Sequence, residues 1–355
     1  MKPSAIFFDA RYIRVDHHDG ISRFSAGLFE ALNRKTDVVA LISDPAQLEK
    51  LPPCRYEIIG APTSALEPLV ARQVNKLGAE VVFSPMQTMG TMGRKYKLIL
   101  TLHDLIYYRH PTPPPSFNLG IRALWRVFHL VYWPQRMLLN RADAVATVSQ
   151  TTKDLISKHH LTKRPVSVVY NAAETAEKQR IERNSAPSKK LVYMGSFMEY
   201  KNVETLIRGM ALLPDFELVL LSRVAPERRV DLELLDAIGN VKFRNGVSEM
   251  EYIDEIDTSF ALVSASKDEG FGIPLVESMN RGTPIIVSDI EIFREIGESA
   301  ASYFNFESPE DFANQVRNLD NPASWKAASL AALERAKNFS WESSADALLK
   351  MVEKL

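Results

Sequence analysis

Residues 267–283 read KDEGFGIPLVESMNRGT, and they follow an apolar run of strand length, SFALVSA, at 259–265. Gly270 and Gly272 allow a tight turn and a close approach of the backbone to a ligand. Pro274 suits the first turn of a helix, where its missing N–H is no loss. The stretch therefore predicts a strand, a glycine turn and a helix start. The free N–H groups of that helix would attract an anion such as a diphosphate.

Two carboxylates accompany this turn: Glu269 precedes it and Glu277 follows inside the helix. An anion-binding turn has no electrostatic use for two acids. Hydrogen bonds from the neutral hydroxyls of a sugar or a ribose would explain both. For either acid alone, stabilisation of the helix dipole is a competing explanation. Together they favour a ligand that carries both a diphosphate and hydroxyl groups.

The rest of the chain alternates short apolar runs with amphipathic segments, which predicts an α/β fold with mostly parallel sheets covered on both faces. The polar, charged residues 174–189 are predicted to be a linker between a domain at 1–173 and a second at 190–339. A final helix is expected at 340–355. Predicted strands lie at 5–8, 38–42, 81–83, 98–102, 144–148 and 166–170, and at 191–194, 217–221, 241–243, 260–263 and 284–287. Two doubly wound domains would bind their ligand at the carboxyl ends of these strands, in the cleft between them.

Composition excludes several classes of protein. A net charge of −1 over 355 residues gives no reason to expect nucleic-acid binding by bulk attraction. The single cysteine, Cys54, excludes an internal disulfide and a cysteine-rich zinc site. No long apolar stretch indicates a signal peptide or a transmembrane helix, so the cytoplasm is the expected location. No Asp-x-Asp follows a predicted strand, which favours chemistry without a metal.

The E-x7-E spacing, with GFG and a proline between the acids and GTPIIVSD at 282–289, resembles the signature of retaining glycosyltransferases of family 4. The resemblance covers nearly the whole chain. It implies the GT-B fold, in which two Rossmann-like domains face each other across a cleft and the last helix crosses back to the first domain. It also implies that Glu269 binds donor-sugar hydroxyls together with the backbone of Gly270, Phe271 and Gly272, and that Glu277 binds the ribose.

Further matches lie in the predicted second domain. The stretch GSFMEYKN at 195–202 resembles the family segment whose lysine holds the donor diphosphate, which assigns that role to Lys201. Tyr200 stands where many relatives carry arginine, so Arg223 is a candidate for the second positive charge. Val247 lies in a loop that resembles the family's contact with the nucleotide base. Taken alone, Lys201 and Arg223 would equally suit solvated surface positions.

The predicted first domain contributes three candidates. His103 directly follows the strand at 98–102 and begins an H-D-L element, which in the family lies beside the donor sugar. A lone histidine after a strand is otherwise more often a satisfied core group. Gly20, in the family-like loop DGISRF at 19–24, would bring the backbone close to the phosphate or the acceptor. Ser149 matches a further family position.

The resemblance implies transfer of a hexose from a nucleotide diphosphate to a hydroxyl, with retention of anomeric configuration and no cofactor. The departing diphosphate needs charge stabilisation, which Lys201 and helix N-termini can supply. The combination of H-D-L with GISRF resembles bacterial cell-surface mannosyltransferases that use GDP-mannose. A glycan or a lipid-linked oligosaccharide is the expected acceptor.

Other functions stay open at this point. The same fold and motifs are also compatible with UDP- and dTDP-sugar donors, and with GT-B epimerases or hydrolases of UDP-sugars. A periplasmic-type sugar-binding protein fits poorly, because the signal peptide is missing and the acids flank a phosphate-type turn. A nicotinamide dehydrogenase fits poorly because no predicted strand leads into Gly-x-Gly-x-x-Gly.

Residues 107–141 form a second unusual region, in which aromatic and aliphatic residues alternate with arginines. A core helix with a solvated basic edge is the simpler interpretation. The alternative is a segment that lies on an anionic membrane surface, which would suit a lipid-linked acceptor.

Overall fold

A computed structural model describes residues 5–15, 20–113, 119–173 and 185–355. It divides into two compact units: Met1–Glu174 with Ser340–Leu355, and Thr175–Phe339. Most of the predicted linker at 174–189 lies outside the described residues.

The described strands and helices are numbered along the chain. The strands are β1 (Ile6–Asp9), β2 (Val38–Ile42), β3 (Arg55–Ile58), β4 (Val81–Ser84), β5 (Lys97–Leu102), β6 (Ala144–Thr147), β7 (Val166–Val168), β8 (Lys190–Tyr193), β9 (Glu217–Leu220), β10 (Val241–Phe243), β11 (Ala261–Ser264), β12 (Ile285–Ser288) and β13 (Ala301–Phe304). The α-helices are α1 (Gly20–Asn33), α2 (Val70–Lys76), α3 (Ile106–Arg109), α4 (Leu119–His129), α5 (Trp133–Leu139), α6 (Gln150–Lys158), α7 (Val203–Met210), α8 (Pro226–Glu233), α9 (Glu249–Asp257), α10 (Ile273–Asn280), α11 (Glu291–Gly297), α12 (Pro309–Leu319), α13 (Pro322–Ala336) and α14 (Trp341–Val352).

The sheet of the first unit is parallel in every described pairing, with the order β3-β2-β1-β4-β5-β6-β7. Its central strands are buried along their whole length, because helices cover both faces of a doubly wound sheet. The strand order reverses between β1 and β4. Ligands of such sheets bind at the carboxyl ends of the strands beside this reversal.

The second unit repeats the arrangement with the order β10-β9-β8-β11-β12-β13, again with every described pairing parallel. Here the order reverses between β8 and β11, so the loops that follow these two strands are the expected ligand-binding loops. The two parallel, Rossmann-like sheets confirm the predicted fold class. The sequence did not predict β3 or β13.

The last helix, α14, belongs to the first unit, where it packs on α1. A Cβ at Gly27 of α1 would lie 2.2 Å from Cε2 of Trp341, so this glycine is what lets the indole reach the helix. Ser340 caps α14 by accepting a hydrogen bond from Ser343 N at 3.2 Å. Ser344 Oγ donates to Tyr170 O at 2.7 Å and fixes the helix to the chain beyond β7.

Among the described helices, none has the length and apolar character that a membrane span requires.

Candidate active site

An ion pair lies at the strand reversal of the second unit. Lys201 ends a short 3-10 helix in the loop after β8, and Glu269 lies in the loop after β11. The Nζ of Lys201 contacts Oε2 of Glu269, and the two side chains are only 14% and 17% exposed. The cation and the acid that the family resemblance assigns to a diphosphate and a sugar are therefore neighbours in space, although 68 positions separate them.

Backbone and amide hydrogen bonds hold the two loops in place. Lys267 N donates to Tyr200 O at 2.7 Å and joins one loop to the other. Asn202, which follows Lys201, has a φ of +52°, a conformation that asparagine tolerates better than most residues. Its Nδ2 donates to Ala265 O at 3.2 Å and to Phe306 O at 2.7 Å. The position of Lys201 is thus fixed by its successor in the chain.

Tyr200, which replaces the arginine of many relatives, contributes its ring to the same place. The Lys201 ammonium lies 5.3 Å from the centre of the Tyr200 ring, within the range of a cation–π interaction. Tyr200 therefore adds attraction for the ammonium and supplies no second positive charge.

The glycine turn has the conformation that its sequence predicts. Gly272 has a φ of +92° and is the N-cap residue of α10, with Pro274 in the first turn. A Cβ at Gly272 would lie 3.2 Å from the Phe293 ring, so both conformation and space favour glycine. Phe271 is buried and packs edge-to-face on Phe339, with ring centroids 5.7 Å apart. Any ligand contact of Phe271 would therefore have to come from its backbone.

Glu277 is held by a tyrosine. The hydroxyl of Tyr252 on α9 donates to Glu277 Oε2 at 2.6 Å, and Tyr252 is almost fully buried. A buried hydroxyl bonded to a carboxylate makes a short, charge-assisted hydrogen bond that fixes the acid's orientation. One carboxylate oxygen is thereby oriented by the protein.

Arg223 lies against the loop that contains Val247. Its side chain covers Gly246, where a Cβ would be 2.9 Å from Arg223 Cγ. The two loops are joined by Gly246 N donating to Leu221 O at 2.9 Å and by Val224 N donating to Asn245 Oδ1 at 3.1 Å. The structure therefore groups Arg223 with the predicted base-binding loop.

In the first unit, His103 lies just beyond β5, where it is half-buried. Its Nε2 is 2.7 Å from Pro85 O, and its ring packs edge-to-face on Phe24 at 5.2 Å. Phe24 belongs to the GISRF stretch on α1. Two segments that the resemblance assigns to one site are thus in contact.

Gly20 is the first residue of α1, and Ser149 is the N-cap of α6. The Ser149 hydroxyl accepts from Thr152 N at 3.1 Å and donates to Thr152 Oγ1 at 2.9 Å. Thr152 Oγ1 in turn donates to His103 O at 3.2 Å. Ser149 is therefore connected to His103 through one intervening side chain. Sequence matching did not reveal that Ser149 also caps α6.

The arrangement places an ammonium beside the N-terminal turn of a helix, with one acid next to it and another one turn further on. An ammonium and free backbone N–H groups bind phosphate oxygens, and carboxylates accept hydrogen bonds from hydroxyls. The described part of the chain contains no group of three or more histidine, cysteine or acidic side chains that could hold a metal ion.

Sequence reasoning missed the supporting roles of Asn202 and Tyr252. Asn202 was visible only as the last residue of a family-like stretch. Tyr252 follows the capping box formed by Ser248 and Glu251, which is a helix-start signal that predicts α9. That signal places Tyr252 in the first turns of the helix, but the bond to Glu277 spans 25 positions and needs the fold.

We expect Tyr252→Phe to raise the dissociation constant of a bound nucleotide about five- to tenfold, because Glu277 loses the hydrogen bond that orients it. Titration calorimetry with the nucleotide measures this. Tyr303→Phe is the matched control, since its hydroxyl donates to Glu298 O on another part of the second unit. An unchanged dissociation constant in Tyr252→Phe would show that the bond does not serve the site.

Two family models match the chain in succession. The model described as Glycosyltransferase Family 4 matches residues 19–177, and the model described as Glycosyl transferases group 1 matches residues 174–324. Among curated proteins, the chain is 28% identical over 327 residues to the O-antigen chain mannosyltransferase RfbU of Salmonella typhimurium, covering 85% of this chain and 87% of that one. It is 36% identical over 104 residues to the serotype-specific mannosyltransferase WbdA of Escherichia coli, covering 29% of this chain and 12% of that much longer one.

Solved structures show the same fold. Sucrose-phosphate synthase from Thermosynechococcus elongatus superposes with a TM-score of 0.74 at 18% identity, over 99% of this chain and 98% of that one. The Anabaena protein HepE, in complex with UDP and glucose, superposes with a TM-score of 0.73 at 16% identity, over 99% and 100%. With two successive family models spanning both units, the chain belongs to glycosyltransferase family 4 and has the GT-B fold.

Proposed function

We propose that this glycosyltransferase moves mannose from GDP-mannose to a hydroxyl of a glycan or lipid-linked oligosaccharide. We further propose that transfer retains the anomeric configuration and needs no divalent metal. The mannosyltransferases to which the chain is similar support the choice of sugar. The absence of Asp-x-Asp from the sequence agrees with a metal-independent site.

The contact between Lys201 and Glu269 is the observation that carries the proposal. In the reaction, negative charge grows on the departing diphosphate, and an ammonium held beside it lowers the barrier. A bound diphosphate would take over the Lys201 ammonium. Glu269 would then accept hydrogen bonds from the donor sugar, and Glu277 would accept them from the ribose.

The acceptor's proton is assigned to the leaving phosphate oxygen, so no side chain acts as the base. His103 has a positioning role in this scheme. Its ring is fixed by Pro85 O and Phe24, which suits a group that holds a sugar hydroxyl.

We place the reaction in the cytoplasm, at the inner face of the plasma membrane, where a lipid-linked acceptor would be presented. Residues 107–141 are the candidate for peripheral contact with that membrane.

A UDP- or dTDP-sugar donor is the second candidate, together with epimerase or hydrolase activity on a UDP-sugar. Backbone groups around Val247 would make most contacts to the base, so the side chains discriminate little between nucleotides. A direct comparison of nucleotides is therefore the test.

The experiment is a thermal-shift panel of GDP-, UDP- and dTDP-sugars, followed by transfer assays with and without EDTA. A ligand at about 100 times its dissociation constant stabilises the folded state by about 2.7 kcal/mol. We expect the largest shift with GDP-mannose and undiminished transfer in EDTA. A larger thermal shift with a UDP- or dTDP-sugar would show that this sugar nucleotide, and not GDP-mannose, is the donor. Activity that EDTA abolishes and magnesium restores would refute metal independence.

We expect the two acids to differ in their effects. Glu277→Ala should weaken nucleotide binding about ten- to hundredfold, since charged hydrogen bonds to the ribose are lost. Glu269→Ala should chiefly lower kcat, about a hundredfold, because its contacts lie at the reacting sugar. Titration and steady-state kinetics separate the two, and Glu310→Ala, an exposed acid on α12, is the matched control. Wild-type binding and turnover in both variants would refute these roles.

A further inference from the structure

The helix α4 presents its aliphatic side chains to solvent. Leu124 is 71% exposed, Ile121 and Val127 are also exposed, and Leu130 just beyond the helix is 74% exposed. An α-helix turns 100° per residue, so residues 121, 124 and 127, which are three positions apart, follow one another along one side of α4. We call this side the outward face.

Another side of α4 packs against the rest of the first unit through aromatic rings. Trp125 contacts His129 at 4.2 Å and Tyr107 at 4.9 Å between ring centroids. The series continues from His129 to Tyr108 at 5.0 Å and from Tyr108 to Tyr132 at 4.4 Å. The helix is therefore anchored by its aromatic side, and the exposure of the outward face is a property of the docked helix. The simpler interpretation of the sequence, a core helix with a basic edge, does not fit this exposure.

The charges around this face have one sign. Between Asp104 and Asp143 the sequence contains five arginines and no acid. Arg126 is exposed on α4 itself, and Arg109 and Arg136 are exposed on the neighbouring helices α3 and α5. Trp133, at the start of α5, is exposed next to it. Aliphatic side chains flanked by arginine and tryptophan are the composition of a helix that lies in a membrane interface.

We propose that the outward face of α4, with Leu130, Val131 and Trp133, inserts into an anionic phospholipid surface while the surrounding arginines contact the headgroups. This deepens the membrane contact given with the proposed function by naming the inserting side chains and the lipid charge. A second copy of this chain is a poorer occupant, because a symmetric contact through this region would bring the exposed arginines of α3, α4 and α5 of both copies together.

The test is sedimentation of the full chain with phosphatidylcholine vesicles that contain or lack phosphatidylglycerol, at low and high salt. We expect the protein to partition onto the anionic vesicles about tenfold or more better than onto the neutral ones, with the difference reduced by salt. The double variant Leu124→Glu, Val127→Glu should lose about tenfold or more of this binding. The double variant Leu234→Glu, Met250→Glu is the matched control, because both residues are highly exposed aliphatic side chains of the second unit.

A second variant separates charge from insertion. Arg126→Gln with Arg136→Gln should lose most of the preference for phosphatidylglycerol and bind neutral vesicles as the wild type does. Light scattering without lipid completes the set. Failure of the wild type to bind anionic vesicles would overturn the proposal, as would an equal loss in the control. If the wild type did not bind vesicles but associated with itself without lipid, and Leu124→Glu, Val127→Glu abolished that association, the outward face would be a contact with a second copy of the chain. No sugar nucleotide is used, so this result is independent of the proposed donor.

Discussion

Lys201→Ala should reduce the rate of sugar transfer about 10²- to 10³-fold, which corresponds to about 2.7–4 kcal/mol of transition-state stabilisation. Lys201 is the cation that the structure holds beside the glycine turn and Glu269. Its removal leaves the developing charge on the diphosphate to backbone dipoles and to Arg223, the candidate for the second positive charge. It also leaves Glu269 without its partner, so an acid would face the departing phosphate.

Lys267→Ala is the matched control for this variant. It removes the same charge from an exposed position two residues before Glu269, and only its backbone joins the loops, by donating to Tyr200 O. Steady-state kinetics on both variants, with thermal unfolding to verify folding, measure the effect. If Lys201→Ala were as active as Lys267→Ala, the Lys201 ammonium would have no part in the mechanism.

Asp9→Ala should lower the free energy of unfolding of the first unit by about 3–5 kcal/mol, because it leaves a buried guanidinium without its main partner. Arg11 donates through Nε to Asp9 Oδ1 at 2.7 Å and through Nη1 to Glu67 Oε2 at 2.7 Å, and the side chains of Arg11 and Asp9 are fully buried. Burial acts to lower the pKa of Arg11, but the charge of Asp9 and the hydrogen bonds to Asp9 and Glu67 outweigh it and raise the pKa above its usual value. Ser84 Oγ also donates to Asp9, at 3.0 Å.

Asp37→Ala provides the comparison. Asp37 Oδ2 lies 2.6 Å from Arg55 Nη1, but the two side chains are 47% and 67% exposed. An exposed pair contributes about 0–1 kcal/mol, since water and salt screen it. Urea unfolding of both variants measures the difference. Equal losses of unfolding free energy in the two variants would show that contacts other than Asp9 stabilise the buried Arg11 guanidinium.

The elements predicted from sequence are those with strong local signals. Central strands such as β1 and β12 read as continuous apolar runs because both of their faces are covered. The edge strand β3, Arg55–Ile58, is exposed along its whole length, so its sequence lacks that signal. The strand β13 is short and only partly buried, so its sequence also lacks a continuous apolar run.

The candidate site also combines local features, which the sequence predicts, with contacts between distant segments, which it does not. The glycine turn and its helix are local features, and the sequence predicts them from Gly272 and Pro274. The contact of Lys201 with Glu269 and the bond from Tyr252 to Glu277 join distant segments. The first contact depends on the strand order, which brings the loops after β8 and β11 together, and the second joins α9 to α10. No local pattern encodes either proximity.

The central claim is that the loops after β8 and β11 hold the pyrophosphate of a sugar nucleotide. A crystal structure of the protein soaked with GDP-mannose tests it most directly. We expect the phosphates within hydrogen-bond distance of Lys201 and the backbone at Gly270–Gly272, with the ribose hydroxyls on Glu277. A nucleotide bound elsewhere, or a bound nucleotide with Lys201 and Glu269 still paired and turned away from it, would contradict the claim.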